Sequence, residues 1–226
     1  MSDMETVKVV VVGDSGVGKT SLVHLICQNE PCAKPSWTIG CAVDVRIHEF
    51  REGLPEQRTY CVELWDVGGS AAHANTRRVF YGGAHGVILV HDLSNRKTQN
   101  TLAGWLAEVL SRDAGESAAF DPETFAGSAT AQLPVLVVAC KPDLSDPRRA
   151  AHLQRQASRF ADECGAQEIT VDCLSARSLA AGSSNAVKLS RFFDKVIERR
   201  YQREPVTQHW ERRRPGPPVR HSYRDY

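Results

Sequence analysis

The sequence predicts an α/β protein built on a doubly wound, six-stranded, mostly parallel sheet with one antiparallel edge strand and helices on both faces. Three observations carry this. Short, nearly unbroken runs of β-branched and leucine residues recur, as suits strands buried on both faces. Helical patterns fill the gaps between them. One pair of runs instead alternates in polarity and is joined by a short turn-forming segment, as in a hairpin.

"VKVVVVG" (Val7–Gly13) is the first buried strand, and Lys19–Gln28 the first helix. "AVDVRIHEF" (Ala42–Phe50) and "TYCVELW" (Thr59–Trp65) alternate. "REGLPEQR" lies between them with Gly53 and Pro55, giving the hairpin and the antiparallel edge. "GVILVHDL" (Gly86–Leu93) and "LPVLVVAC" (Leu133–Cys140) are further buried strands, and Glu168–Asp172 a short sixth. The remaining helices fall at about Lys97–Ser111, at about Pro147–Cys164 and at Ser184–Arg200. The last opens on a serine cap and sets Val187, Phe192, Phe193, Val196 and Ile197 along one stripe. Ligands are expected at the carboxyl ends of the strands.

The 226 residues carry a net charge of +1 and seven cysteines. No global field draws the chain to nucleic acid, so no nucleic-acid partner is expected. The cysteines form no C-x-x-C pair and read as reduced thiols, which points to a cytoplasmic location. The start shows neither a signal peptide nor a membrane helix. Residues 1–202 are expected to form one domain with a flexible insertion at about 112–132. The remainder, 203–226, is basic, proline-containing and expected to be disordered.

"GDSGVGKT" (Gly13–Thr20) matches G-x-x-x-x-G-K-[ST] between a strand and a helix. Its glycines let backbone N–H groups curl around phosphate oxygens, and the helix dipole favours the anion. Lys19 reaches for the β- and γ-phosphates, and the Thr20 hydroxyl is placed to ligate Mg²⁺. The candidate phosphate-binding residues are Asp14, Ser15, Gly16, Val17, Gly18, Lys19, Thr20 and Ser21. "CKPD" (Cys140–Asp143) follows a strand at the same sheet edge. A carboxylate there accepts from guanine N1–H and its amino group together, so Asp143 favours guanine over adenine. Lys141 can lay its stem along the base. The other reading of Pro142 and Asp143 is a simple turn after the strand.

With "WTIG" (Trp37–Gly40), "LWDVGG" (Leu64–Gly69) and "GAHGVILVHDL" (Gly83–Leu93) in order, the chain resembles a Ras-superfamily small GTPase of the Rab type. More narrowly, "PSWTIGCAVDVRIHEF" and "AAGSSNAVKLSRFFDKVIERRY" resemble the divergent Rab-like protein 3 branch. The resemblance implies a P-loop GTPase fold, GTP or GDP with Mg²⁺, and protein effectors and regulators. By it, Thr38 meets Mg²⁺ and the γ-phosphate, Asp66 holds Mg²⁺ through water, and the Gly69 N–H touches the γ-phosphate. The catalytic set would be Lys19, Thr38 and Gly69.

Several positions depart from that pattern. Ser70 replaces the glutamine that orients the attacking water. Losing one such contact slows turnover by about 10²–10³, so hydrolysis is expected to be weak. "SAAHANTRR" is small and polar where bulky anchors are usual, so this loop is expected to order poorly. Cys140 stands where an asparagine ties the base loops together, which predicts fast exchange. The third base loop falls at Ser175, Ala176 and Arg177, or alternatively at Asp172–Ser175. The last cysteine is Cys173, so no prenyl anchor is expected and membrane contact is transient at most. A homodimer is a further expectation. Two functions stay open: a weakly hydrolysing guanine-nucleotide switch, or a scaffold in which nucleotide is a structural staple.

Overall fold

The computed structural model describes residues 4–32, 34–111 and 133–201. The expected insertion at 112–132 and the tail at 203–226 lie outside them. Six strands form one sheet: β1 (Thr6–Val12), β2 (Cys41–Phe50), β3 (Arg58–Val67), β4 (Gly86–Asp92), β5 (Val135–Cys140) and β6 (Gln167–Val171). Their order is β2-β3-β1-β4-β5-β6. Only β2 runs antiparallel, pairing Cys41 with Val67 and Phe50 with Arg58. The chain moves outward from β1 to one side, then returns and fills the other. The crevice at the carboxyl ends of β1, β3 and β4 is therefore the topological switch point where a ligand sits.

Alternation along the strands builds two cores. One face sends Val7, Val9, Val11, Ile88, Val90, Leu136 and Val138 against α1 (Lys19–Gln28) and α6 (Ser184–Tyr201). The other sends Val10, Val12, Val87, Leu89 and Val137 against α4 (Leu102–Leu110) and Ala161 of α5 (Pro147–Glu163). Each fully buried Val or Leu contributes about 1.5–3 kcal/mol relative to exposure. This two-sided burial fixes the sheet edge on which the site is mounted.

Three local expectations change. The helix expected at about Lys97–Ser111 is two pieces, α3 (Arg96–Asn100) and α4, parted at Thr101. There the Thr101 hydroxyl bonds both the Thr98 carbonyl and the carboxylate of Asp14. The cap of α6 is Ser183, not Ser184: its Oγ accepts from the Ala186 N–H at 3.2 Å. Val187 faces solvent, and Leu189 takes the place expected for it on the buried stripe. The "SAAHANTRR" segment forms turns and the short helix α2 (Ala74–Arg77).

Candidate functional site

The loop after β1 is shaped by close approach. Gly13 has φ 148°, and a Cβ there would fall 2.2 Å from the Val90 carbonyl oxygen, so only glycine fits. Lys19 is buried, and its Nζ donates to the carbonyls of Gly13 and Asp14, each at 2.9 Å. Burial lowers its pKa to about 8, with Asp66 and Asp14 opposing only in part. An ammonium held this way gains from an anion placed above it.

Across the loop, the hydroxyls of Thr20 and Thr38 both donate to Asp66 Oδ2, at 2.6 and 2.8 Å. The two hydroxyl oxygens are 3.0 Å apart. Neighbouring ligands of an octahedral Mg²⁺, with bonds of about 2.1 Å, stand about 3.0 Å apart. Asp66 is buried, and its Oδ1 has no hydrogen-bond partner among the described residues. Two hydroxyls at octahedral spacing beside an unsatisfied carboxylate oxygen fit a hard cation that keeps some of its waters. Among the described residues no three His, Cys, Asp or Glu gather into a metal cage.

Lys19, Thr20 and Thr38 line a cavity of about 600 Å³ together with Ser15, Gly16, Gly18, Ser21, Trp37, Gly69, Ser70 and Lys141. Gly69 closes one wall against the phosphate loop. A Cβ there would meet the Gly13 oxygen at 2.4 Å and the Ser15 nitrogen at 2.7 Å. Val17 faces the core instead. The Asp14 carboxylate turns away, accepting from Trp105 Nε1 at 2.8 Å and from Thr101.

On the side expected for the base, Lys141 adopts a left-handed backbone (φ 58°). Its Nζ bonds the Gly16 carbonyl and Asp92 Oδ2, both at 2.7 Å. Asp92 Oδ1 in turn accepts from the Ser94 N–H and hydroxyl. Burial works against the Asp92 charge, yet the bonds from Lys141 and Ser94 outweigh it and hold the carboxyl below its ordinary range. Asp143 lies exposed in the turn Pro142–Leu144. Cys140 is fully buried with its Sγ 3.8 Å from Cys173 Sγ. That thiol–thiol bond, then burial, raises the Cys140 pKa well above the usual thiol value, so the Cys140 thiol is a poor nucleophile. Ser175 opens the turn Ala176–Leu179, and Ala176 packs on the core. The alternative register, Asp172–Ser175, is the one that brings a residue, Cys173, beside Cys140.

The loop after β3 is better held than its composition suggests. Arg77 is buried and grips Glu108 of α4 through Nε and Nη2, at 2.7 and 2.6 Å. Its Nη1 donates to the Ser70 carbonyl at 3.1 Å, and its guanidinium lies 4.0 Å from the Trp105 ring centre. Tyr81 donates to the same Glu108 carboxylate at 2.9 Å. Burial alone would raise the Glu108 pKa, but Arg77 and Tyr81 hold it below the ordinary value. The expectation of an unanchored loop is corrected: one arginine supplies what bulky apolar anchors would have done.

Comparison with known proteins agrees with this geometry. Residues 8–120 match the model of Roc, the Ras of Complex domain of DAPkinase. Rab-like protein 3 of Xenopus tropicalis is 51% identical over 214 residues, covering 90% of each chain. The Homo sapiens protein of that name is 49% identical over 211 residues, 89% of this chain and 88% of that one. Small GTPase LIP1 of Arabidopsis thaliana is 40% identical over 149 residues, 62% of this chain and 42% of its own. The chain belongs to the Ras-superfamily small GTPases, in their Rab-like branch.

A small GTPase binds guanine nucleotide and works with effectors and regulators. In this Rab-like GTPase the fold gathers Lys19, Thr20, Thr38, Gly69, Ser70 and Lys141 around one cavity, with Asp66 bonded to the two threonines behind its wall. Asp143, Ser175 and Ala176 are not among the described residues that line it. Asp92, Arg77 and Glu108 were missed by sequence reasoning. A carboxylate closing the apolar run "GVILVHD" was the available signal for Asp92. For the Arg77–Glu108 pair, 31 residues apart, no local pattern exists.

Proposed function

We propose that the chain is a guanine-nucleotide-binding molecular switch with weak intrinsic GTP hydrolysis and fast nucleotide exchange, acting through protein partners in signalling or trafficking. The observation that carries this is the Thr20–Thr38–Asp66 triangle, whose two threonines line the same cavity as Lys19. In this reading Lys19 binds the β- and γ-phosphates, the Gly69 N–H meets the terminal phosphate, and Asp143 accepts from guanine. Thr20 and Thr38 ligate Mg²⁺, with Asp66 acting through water. Mg²⁺, when bound, neutralises charge on the bridging phosphates. Thr38 then links the terminal phosphate to its loop, which loosens once that phosphate is gone. Ser70 is too short to orient the attacking water as glutamine does, and its carbonyl is already engaged by Arg77. Turnover is therefore at or below the order of 10⁻⁴ s⁻¹ without help. Cys140, bonded to Cys173 rather than to a base, leaves exchange fast.

The test is competition of GTP, GDP and ATP against fluorescent GDP, with and without Mg²⁺. One Mg²⁺-dependent guanine site, lost in Lys19→Ala and Thr20→Asn, is expected; unchanged affinity in both variants overturns the reading. The second reading, a scaffold stapled by nucleotide, is favoured by Ser70 and by the Arg77 anchor. It requires equal partner binding in the GDP and GTP forms, with nucleotide raising only thermal stability. A cytoplasmic location and a homodimer complete the first reading, tested by cell fractionation and sedimentation equilibrium. Among the described residues no helix is long and apolar enough to cross a membrane.

A further inference from the structure

We propose that Arg77 is the positioning residue of the loop Gly68–Tyr81, holding it against the domain whether or not a terminal phosphate is bound, so that only the Thr38 loop reports the phosphate. The proposal rests on the nucleotide-switch reading above and says which of its two loops does the switching.

The two loops are secured in different ways. In the Arg77 loop, the tie to the scaffold runs through Arg77, Glu108 and Trp105, which are not among the described residues that line the cavity. It runs from the Ser70 carbonyl to Arg77, and from Arg77 to the Glu108 carboxylate and the face of Trp105. Trp105 is itself fixed to the phosphate loop, donating from Nε1 to Asp14. Three nitrogens of Arg77 are engaged at once, two in a fork that only a guanidinium can make. Tyr81, at the loop's far end, bonds the same carboxylate, so both ends of the loop share one anchor. Against this, a terminal phosphate would add one N–H bond from Gly69, which already packs on the backbone of Gly13 and Ser15.

The Thr38 loop has the opposite character. Its tie runs through hydroxyls that face the cation position, Thr38 to Thr20 and Asp66. Its flanking side chains find little support, with Trp37 86% and Ile39 88% exposed. Order in this loop depends on what fills the site, while order in the Arg77 loop depends on the protein. A partner that reads Gly68–Tyr81 then binds both nucleotide forms alike. Discrimination must come through Trp37 and Ile39.

The experiment is hydrogen exchange by mass spectrometry on the full chain, loaded with GDP or GTPγS. Fluorescent GDP binding is checked first. Protection of 68–81 that differs less than about twofold between the forms is expected, with Trp37–Gly40 protected more strongly by GTPγS. In Arg77→Lys and Glu108→Gln, exchange of 68–81 in the GDP form should rise on the order of 100-fold and slow again with GTPγS. That new nucleotide dependence is a readout that general destabilisation would not give. Protection of the wild-type loop by GTPγS alone overturns the proposal. So does wild-type exchange in both variants, or an equal rise in both forms that extends to β1 and α4. If no nucleotide binds, the switch reading fails. The loop's protection in the free protein, and its loss in the variants, then still decides the role of Arg77.

Discussion

His91 stands in register with Ala139, one step before the Asp92–Cys140 pair that leads into the base loop. Its ring is fully buried, and neither ring nitrogen has a hydrogen-bond partner among the described residues. Burial lowers its pKa from 6.5 to about 4, with Asp92 opposing. The folded protein therefore keeps the imidazole neutral over a range in which the unfolded chain protonates it. Well above pH 6.5 the two states bind equal protons here. As pH falls from 6.5 towards 4 the unfolded state gains protons and stability is lost. Taking 6.5 and about 4, the loss between pH 7 and pH 5 is about 2 kcal/mol. For a chain of this length that corresponds to a fall in Tm of about 4–8 °C. The assay is scanning calorimetry of the wild type and His91→Phe at pH 7, 6 and 5. The absolute Tm of the variant carries packing differences, so the comparison is between pH slopes, and the variant should lose about that much less. Equal slopes in the two proteins would refute the reasoning.

Three further outcomes are expected. Asp92→Asn takes the charged partner from Lys141 and leaves one acceptor oxygen where Lys141 and Ser94 now use two; release of fluorescent GDP should quicken about 10-fold, and an unchanged rate would mean the Gly16 carbonyl alone holds Lys141. Ser70→Gln restores a side chain long enough to reach the attacking water, so single-turnover GTP hydrolysis should rise at least about 10-fold; no rise would place the limit elsewhere in the loop. Removal of Mg²⁺ with EDTA should speed GDP release in the wild type by about 10-fold or more and have little effect in Thr20→Ala, which lacks the first hydroxyl ligand; equal acceleration in both would exclude Thr20 from the cation site.

The sheet was legible because its physics is local. Buried parallel strands must be almost wholly apolar, and "VKVVVVG" and "LPVLVVAC" admit no other arrangement with helices on both faces. The phosphate loop was legible for a similar reason, since its glycines, lysine and threonine lie within eight positions. Legibility failed where partners are far apart in sequence. Lys141 and Asp92 are 49 residues apart, and Thr101 and Asp14 are 87. Composition could show that "SAAHANTRR" lacks large apolar groups. It could not show that Arg77 folds back onto Glu108. Val187 failed differently: the helical stripe on α6 was right, but its edge lay two residues further along, at Leu189.

Two of the long-range pairs that escaped sequence reading, Lys141–Asp92 and Thr101–Asp14, share one target, the phosphate loop. On one side Lys141, steadied by Asp92, bonds the Gly16 carbonyl. On the other, Trp105 and Thr101 hold the Asp14 carboxylate. From beneath, Lys19 takes the carbonyls of Gly13 and Asp14. These contacts engage carbonyl and carboxylate oxygens of the loop and leave its backbone N–H groups available to phosphate. An anion site of this kind depends on donors fixed before the ligand arrives, because ordering them on binding would take free energy from affinity. The cradle is therefore built by the protein. In the switch reading, what the nucleotide adds falls on the unsatisfied oxygen of Asp66 and the exposed loop around Thr38.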